Sequence, residues 1–345
     1  MRAGSGPPRR GVQAGEQLLM VEQRGSAGAN GNGHRAGRQA GAPYILDRHG
    51  NRRAAHDDAR RTAELREGLT RDERVVALAA DTDDERLQQV LAALHDADYL
   101  QTLRAVDWQE PRIVPELAPP GLPADSPLWA GIVGTAFEGA RTAIAAAEQI
   151  ADGARFAYAL SRPPGHHAGP AWLGGYCYLN TAAAAAHTLC DRGMGPVAIV
   201  DVDFHFPTGT SAIVAPLKDV MLGSLHASTL DEVPWREVKP GERERFVGFE
   251  SAPQQGPYLR ALEAMLDEFA QTCSALVLSL GYDTVTTDPH GSWRFMPIAF
   301  EQMGALLART GLPICIVQEG GYSLVALAEC AWAFALGLLN GDWVE

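Results

Sequence analysis

The most constraining feature of the sequence is a series of short, continuously apolar segments separated by helical ones. The apolar segments cover residues 156–161, 196–203, 220–226, 274–283 and 312–321. Strands that are apolar at every position, rather than at alternate positions, are typical of a parallel sheet covered by helices on both faces. The sequence therefore predicts an α/β fold with a central, mostly parallel sheet.

The chain divides into two regions of different complexity. Residues 1–42 are rich in Gly, Ala and Arg and have few apolar side chains to bury, which predicts a disordered N-terminal extension. Residues 43–345 are predicted to form a single folded domain. Within it, the proline-rich stretch at 111–128 is predicted to be a loop.

Charge and cysteine content limit the classes of partner. The net charge is −13 although residues 1–61 carry an excess of arginine, so the body of the chain is acidic. An acidic body repels nucleic acid and attracts cationic ligands. The five cysteines are scattered and form no Cys-x-x-Cys pair, which predicts reduced thiols and a cytoplasmic location. No apolar run is long enough for a membrane span, so no membrane association is expected.

Polar residues follow each predicted strand directly. Four of these groups lie at 162–167, 201–205, 224–226 and 281–283, and a fifth lies at 319–322. In open α/β sheets, ligands bind beyond the carboxyl ends of the strands. The sequence therefore predicts that the five groups converge on one site.

Three of these side chains predict a metal site. Asp203 and His205 are two residues apart at a strand end, so they leave the chain on the same face, and Asp283 ends another strand. Two carboxylates and one imidazole that leave a coordination position open are typical of catalytic zinc. Because the two carboxylates are hard ligands, Fe²⁺ and Co²⁺ also suit the site.

The remaining strand-end residues suit hydrolysis at such a metal. A water activated by the metal needs a base, and a leaving amine needs an acid; the adjacent His166 and His167 supply imidazoles for both roles. Asp201 faces the same side as Asp203 and is a candidate to orient one imidazole. Tyr322 follows a Gly-Gly turn, and its phenol is a candidate to stabilise a developing oxyanion.

The motifs RPPGHHA, GGYC, DVDFH, SLH, LGYDTVTTDP and EGGY, in this order, resemble those of the histone deacetylase superfamily. The segment RPPGHHAGPAWLGGYCYLN together with EGGY is most similar to the corresponding motifs of the bacterial acetylpolyamine amidohydrolases. The resemblance extends over roughly residues 90 to 340. It implies a three-layer α/β/α arginase/deacetylase-like fold and zinc-dependent hydrolysis of an acetyl amide, with a small acetylated amine as substrate.

The resemblance also assigns roles to individual residues. Asp203, His205 and Asp283 match the zinc ligands, His167 the general base and acid, and His166 its electrostatic partner with Asp201. Tyr322 matches the oxyanion-stabilising residue. The carbonyl of Gly175 would receive the substrate amide, and Tyr176 would form an aromatic wall of the channel. The structural potassium ion of the family would use the residues Asp201, Asp203, His205, Ser224 and Leu225.

Two departures from the family pattern leave alternatives open. Phe206-Pro207-Thr208 stands where the family reads His-Gly-Asn, so the residue that would orient His167 is replaced by threonine. A family member that binds a ligand without turnover is therefore one alternative. The second departure is a short segment before Trp129, in which only Glu116 and Asp125 are candidates to contact a substrate amine. A deacetylase that acts on acetyl-lysine peptides is therefore a second alternative. Whether the protein forms a homodimer also stays open.

Overall fold

The computed structural model describes residues 16–24, 44–47, 49–228 and 239–341. Eight of its strands form one parallel sheet in the order β4-β1-β5-β10-β9-β6-β7-β8, and β2 and β3 form a separate antiparallel pair. The strands are β1 (Leu18–Glu22), β2 (Tyr44–Leu46), β3 (Arg52–Ala54), β4 (Val75–Ala79), β5 (Phe156–Leu160), β6 (Val197–Asp201), β7 (Val220–Ala227), β8 (Glu244–Phe249), β9 (Ala275–Leu280) and β10 (Ile314–Gln318).

Helices cover both faces of the sheet. They are α1 (Arg60–Leu69), α2 (Asp84–Leu94), α3 (Ala97–Arg104), α4 (Ala130–Ala151), α5 (Thr181–Asp191), α6 (Thr208–Val214), α7 (Gln255–Ala270), α8 (Pro297–Arg309) and α9 (Leu327–Asn340). Local sequence defines several of their ends. The side chains of Asp83 and Asn180 accept backbone N–H groups at the starts of α2 and α5, and α9 ends at Gly341 in the left-handed conformation.

The sheet separates two apolar cores, and strand β5 contributes to both. All five of its residues are buried. Phe156, Tyr158 and Leu160 pack on the side of α1, α7, α8 and α9, whereas Ala157 and Ala159 pack on the side of α2 to α6. Because both faces are covered, the strand is apolar throughout. The three-layer α/β/α architecture with a parallel sheet confirms the predicted fold class.

The five predicted strands are all present, but the sheet also contains three that were not predicted. Strand β1 lies between β4 and β5, with Met20 opposite both Ala77 and Tyr158. The prediction that residues 1–42 form an extension is therefore wrong for residues 18–22, which are part of the sheet. This apolar run of a few residues between glycine-rich segments was too short to be recognised. Residues 1–15 and 25–43 lie outside the described part of the chain.

Among the described residues, no helix has the length and apolar character needed to cross a bilayer. The helix with the most apolar sequence, α9, is packed against α1 and α8 instead. Its buried face includes Phe334 and Leu338, which belong to the core on that side of the sheet.

Candidate active site

Three of the predicted metal ligands converge where the strands end. Asp203 Oδ1 and Asp283 Oδ2 each lie 3.1 Å from Nδ1 of His205, and the two aspartates are fully buried. One imidazole nitrogen carries at most one proton, so it cannot donate well to two carboxylates at once. Ligand atoms about 2 Å from a tetrahedral ion are about 3.3 Å apart. The observed spacing therefore fits a group that holds a metal ion.

Backbone N–H groups bind the carboxylate oxygens of the two aspartates that do not face His205. The N–H of Gly320 donates to Asp203 Oδ2, and the N–H of Phe204 donates to Asp283 Oδ1, both at 2.9 Å. A side chain at position 320 would bring a Cβ to 2.5 Å from Asp203 Oδ2. Glycine is thus required there because the backbone approaches the carboxylate closely. These contacts orient the other two oxygens, Asp203 Oδ1 and Asp283 Oδ2, toward His205.

The pKa values of the ligand group show competition for positive charge. Burial raises the pKa of Asp283 to about 7, and neighbouring Asp203 adds to the effect. Burial opposes charge on His205 as well, but the proximity of Asp203 and Asp283 outweighs it and raises the pKa of His205 to about 9. Burial also opposes ionisation of Asp203, yet His166 and His205 lower its pKa. A buried cation would satisfy both carboxylates.

The two adjacent histidines lie beside this group and have opposite electrostatic environments. Their ring centroids are 4.1 Å apart, and the ring of His167 lies 5.7 Å from that of His205. Burial disfavours the charged form of His166, but Asp203 and Asp201 overcome it and raise the pKa to about 10. Burial and the charge of His166 lower the pKa of His167. The surroundings therefore favour the charged form of His166 and the neutral form of His167.

Asp201 is the partner of His166, as expected from its place at the end of β6. Its Oδ2 lies 3.1 Å from His166 Nδ1, and its Oδ1 accepts the N–H of Asp203. Asp201 also pairs in register with Ser224 of β7. The Ser224 hydroxyl lies 3.0 Å from Nδ1 of His226. Leu225, the residue between them in the sequence, is fully buried. Asp201 and Ser224 are thus adjacent on neighbouring strands, and the other two residues of β6's polar end that were assigned to the potassium site, Asp203 and His205, follow that strand directly.

The Phe206-Pro207-Thr208 departure is accommodated by the fold. Phe206 is fully buried, and its ring packs edge-on against His226 at 4.8 Å and Phe246 at 4.9 Å. Pro207 precedes α6, a position that tolerates the absence of an N–H group. The hydroxyl of Thr208 donates to the carbonyl of Phe206 at 3.3 Å. Where the family pattern has a polar residue, this segment therefore packs the Phe206 ring against two other rings.

Tyr322 is held beside the site by contacts that the sequence did not reveal. Its backbone N–H donates to Asp288 Oδ2 at 2.6 Å, and its ring lies 4.7 Å from that of His290. The guanidinium of Arg61 stacks on the Tyr322 ring at 4.5 Å, which is within cation–π distance. Burial raises the pKa of the Tyr322 phenol, so the hydroxyl keeps its proton and can donate it in a hydrogen bond.

Arg61 is a buried charged residue near the site that the sequence did not reveal. It donates to the carbonyls of Glu319 and Gly321 at 2.6 Å each and forms an ion pair with Asp57. It comes from α1 and lies some 260 positions from its acceptors, and within the arginine-rich N-terminal part of the sequence nothing distinguishes it. These contacts hold the backbone that leads into Tyr322.

Glu319 belongs to a predicted strand-end group, but the sequence did not reveal its role. It is fully buried, and its Oε2 accepts the N–H groups of Gly165 at 2.6 Å and His166 at 3.1 Å. Burial raises the pKa of Glu319 to about 7, against the opposing charge of His166. This carboxylate was visible in the EGGY motif, but only its strand-end position marked it. It ties the end of β10 to the loop of the histidine pair.

The predicted substrate-binding residues lie on a tight turn at the same edge of the sheet. Gly175 and Tyr176 occupy its two central positions, and the Tyr176 ring lies 5.5 Å from that of Tyr322. Of the two acidic candidates, Asp125 contacts this turn through the N–H of Gly175. Glu116 is exposed on the 3-10 helix at 115–117.

Comparisons with known proteins agree with this geometry. Residues 56–338 match the family described as Histone deacetylase domain. Acetylpolyamine amidohydrolase 1 of Pseudomonas aeruginosa is 37% identical over 213 residues, which cover 59% of this chain and 61% of that relative. Acetylpolyamine amidohydrolase of Burkholderia pseudomallei is 32% identical over 291 residues, which cover 73% of this chain and 83% of the relative.

A solved structure extends the similarity to the whole fold. The crystal structure of acetylpolyamine aminohydrolase from Burkholderia pseudomallei superimposes with a TM-score of 0.79 and 27% identity, and the match covers 93% of this chain and 99% of that one. The resemblance predicted from the motifs is confirmed. This protein belongs to the histone deacetylase family, and its relatives include bacterial acetylpolyamine amidohydrolases.

Proposed function

We propose that this protein is a metal-dependent deacetylase that hydrolyses the acetyl amide of a small amine, such as an acetylpolyamine. The observation that carries the proposal is the histidine pair, with ring centroids 4.1 Å apart, beside the converging side chains of Asp203, His205 and Asp283. Hydrolysis of an amide needs a base and an acid at the same carbonyl, and this arrangement provides both. The names of the relatives support the substrate class.

Asp203, His205 and Asp283 would hold the metal ion. We propose Zn²⁺, because carboxylate and imidazole ligands at this spacing suit it, while Fe²⁺ and Co²⁺ suit the same ligands. When bound, the ion supplies a Lewis acid and lowers the pKa of water in the site. The structural potassium ion would be held at Asp201 and Ser224, with backbone carbonyls of Asp203, His205 and Leu225.

The neutral imidazole of His167 would take the proton of the attacking water and later give it to the leaving amine. His166 would remain cationic through Asp201 and favour the negative charge that develops on the substrate. In a general acid–base step the base must be neutral before the attack, and the low pKa of His167 satisfies that condition. The two adjacent histidines would therefore have different roles.

Tyr322 would stabilise the substrate oxyanion through its hydroxyl. Its raised pKa keeps the phenol protonated, and a positioned hydrogen-bond donor stabilises the charge that develops on the oxygen. The Gly175 carbonyl would accept the N–H of the substrate amide, and the Tyr176 ring would line the channel. The acidic net charge of the chain favours a cationic substrate.

Acetate release from a substrate panel tests this proposal. Purified, zinc-loaded protein would be given acetylated diamines, acetylpolyamines and acetyl-lysine peptides. Turnover of the acetylated amines supports the proposal, whereas turnover confined to peptides favours a peptide deacetylase. Absence of acetate release across the panel, with one metal ion bound per chain, would favour a member that binds without turnover, for which the Thr208 departure is the specific motive.

A further inference from the structure

The turn that carries the substrate-binding residues has an unusual backbone. Gly175 and Tyr176 have φ values of 57° and 68°, and the turn is closed by hydrogen bonds between Gly174 and Cys177 in both directions. Positive φ at both central positions is the pattern of a type I′ turn, which favours Gly or Asn. Among the described residues, Tyr176 is the one non-glycine residue with positive φ. An aromatic residue there is strained and must be held by its surroundings.

A second segment supplies that support. Both carboxylate oxygens of Asp125 lie 3.1 Å from the backbone nitrogen of Gly175. The hydroxyl oxygen of Ser126 accepts the N–H of Tyr176 at 2.9 Å and donates its own proton to Asp125 Oδ1 at 2.8 Å. Two neighbouring side chains thus accept the two central N–H groups of a turn that lies 50 positions away in the sequence.

The strained conformation sets the direction of the Tyr176 ring. The ring lies 5.5 Å from that of Tyr322 and 5.7 Å from that of His290. Its hydroxyl oxygen accepts the backbone N–H of His56 at 3.2 Å. A turn that relaxed to negative φ would redirect both the ring and the Gly175 carbonyl, because the two residues share a peptide group.

We propose that Asp125 and Ser126 form a positioning pair that holds the Gly175–Tyr176 turn in its left-handed conformation and so shapes the wall and the amide-binding carbonyl of the substrate channel. This inference rests on the proposed function for its kinetic consequence. In this proposal Asp125 positions the turn. The role differs from direct contact with a substrate amine, for which its acidic side chain made it a candidate.

The environment of Asp125 favours the positioning role. Its oxygens already accept the Gly175 N–H and the Ser126 hydroxyl. Burial raises the pKa of Asp125 to about 6, although those hydrogen bonds lower it. This half-buried carboxylate is therefore directed at the turn and at Ser126, which are its hydrogen-bond partners.

Kinetics with paired substrates separate the two roles. Asp125→Ala and Ser126→Ala are expected to raise KM about tenfold while kcat changes less than twofold. The rise is expected to be the same for N-acetylputrescine and for neutral N-butylacetamide, because a displaced wall affects both. Asp72→Ala is the matched control, since Asp72 accepts a backbone N–H from Arg74 before β4, at the opposite edge of the sheet. A rise confined to the cationic substrate would overturn the proposal.

Amide hydrogen exchange tests the pair without any requirement for activity. In both alanine variants, exchange of the Gly175 and Tyr176 amides is expected to accelerate at least tenfold, while α4 peptides keep the wild-type rate. Asp125→Asn, which retains an acceptor oxygen, is expected to fall between Asp125→Ala and wild type. Unchanged exchange at the turn would overturn the inference. A protein that hydrolyses no substrate would contradict the proposed function, and the exchange result would still decide the role of the pair.

Discussion

Glu319 Oε2 accepts the backbone N–H of His166 at 3.1 Å, which joins two strand ends that are 153 positions apart in the sequence. The same oxygen accepts the N–H of Gly165. These bonds hold the loop in place, because a buried N–H group that loses its acceptor costs free energy. The residue that follows β10 therefore holds the loop of the histidine pair, independently of the metal ligands.

Removal of this carboxylate is expected to slow the chemical step. Glu319→Ala leaves two buried N–H groups without an acceptor, and we expect kcat to fall about tenfold with little change in KM. Glu319→Gln retains an acceptor oxygen and should restore most of the loss. Steady-state kinetics test this, with Glu263→Ala on the surface of α7 as the control. Equal kcat for the alanine variant and wild type would show that the loop keeps its geometry without Glu319.

A methyl group at position 320 is expected to weaken metal binding. The added Cβ of Gly320→Ala would lie 2.5 Å from Asp203 Oδ2 and 2.7 Å from Asp283 Oδ2, so both carboxylates must move. We expect the zinc affinity, measured by competition with a chelator, to fall at least tenfold. Gly134→Ala in α4 meets no atom within 4 Å and should leave the affinity unchanged. Unaltered affinity in Gly320→Ala would contradict the assigned ligands.

The Tyr322 hydroxyl is expected to act on the transition state and not on substrate binding. Tyr322→Phe should lower kcat about a hundredfold or more, the size expected for one lost oxyanion donor, with KM and metal content within twofold of wild type. Tyr258→Phe is the matched control, because its buried hydroxyl has no hydrogen-bond partner in the described part of the chain. A rise in KM alone would indicate a binding role for Tyr322.

His95 makes stability depend on pH. Its Nδ1 faces the carbonyl of Gly169 and its Nε2 accepts the N–H of Asn180, so the buried ring is neutral. Burial lowers its pKa from 6.5 to about 4. The unfolded chain therefore binds a proton between pH 6.5 and 4 that the folded chain does not, and stability falls as pH falls through that window.

Urea unfolding of wild type and His95→Gln at pH 7.5 and 5.0 measures this contribution. We expect wild type to lose about 2 kcal/mol more than the variant between the two pH values, because a depressed pKa costs about 1.4 kcal/mol per pH unit below 6.5. The variant supplies the reference for all other titrating groups. Identical pH dependence in the two proteins would show that His95 is not held neutral.

The sequence predicted the features that depend on local pattern. Continuous apolar runs identified five strands of the sheet, and the residues after them included Asp203, His205 and Asp283, which the fold brings together. Parallel strands place their carboxyl ends at one edge, so strand identity alone was enough to predict convergence.

The features that escaped prediction depend on contacts between distant segments. Arg61 reaches Gly321 from a helix near the start of the chain, and the Asp125–Ser126 pair reaches a turn whose left-handed tyrosine no local rule would favour. Strand β1 was missed because its pairing with β4 and β5, rather than its own short sequence, defines it. Tertiary structure decided each of these positions.

The most direct test of the account is acetate release measured as a function of bound zinc. The metal would be removed from the full chain by a chelator and restored in steps, with N-acetylputrescine as substrate. We expect the rate to rise in proportion to bound zinc and to saturate at one ion per chain. Acetate release that persists without the metal, or that is absent with one ion bound and every acetylated amine supplied, would contradict it.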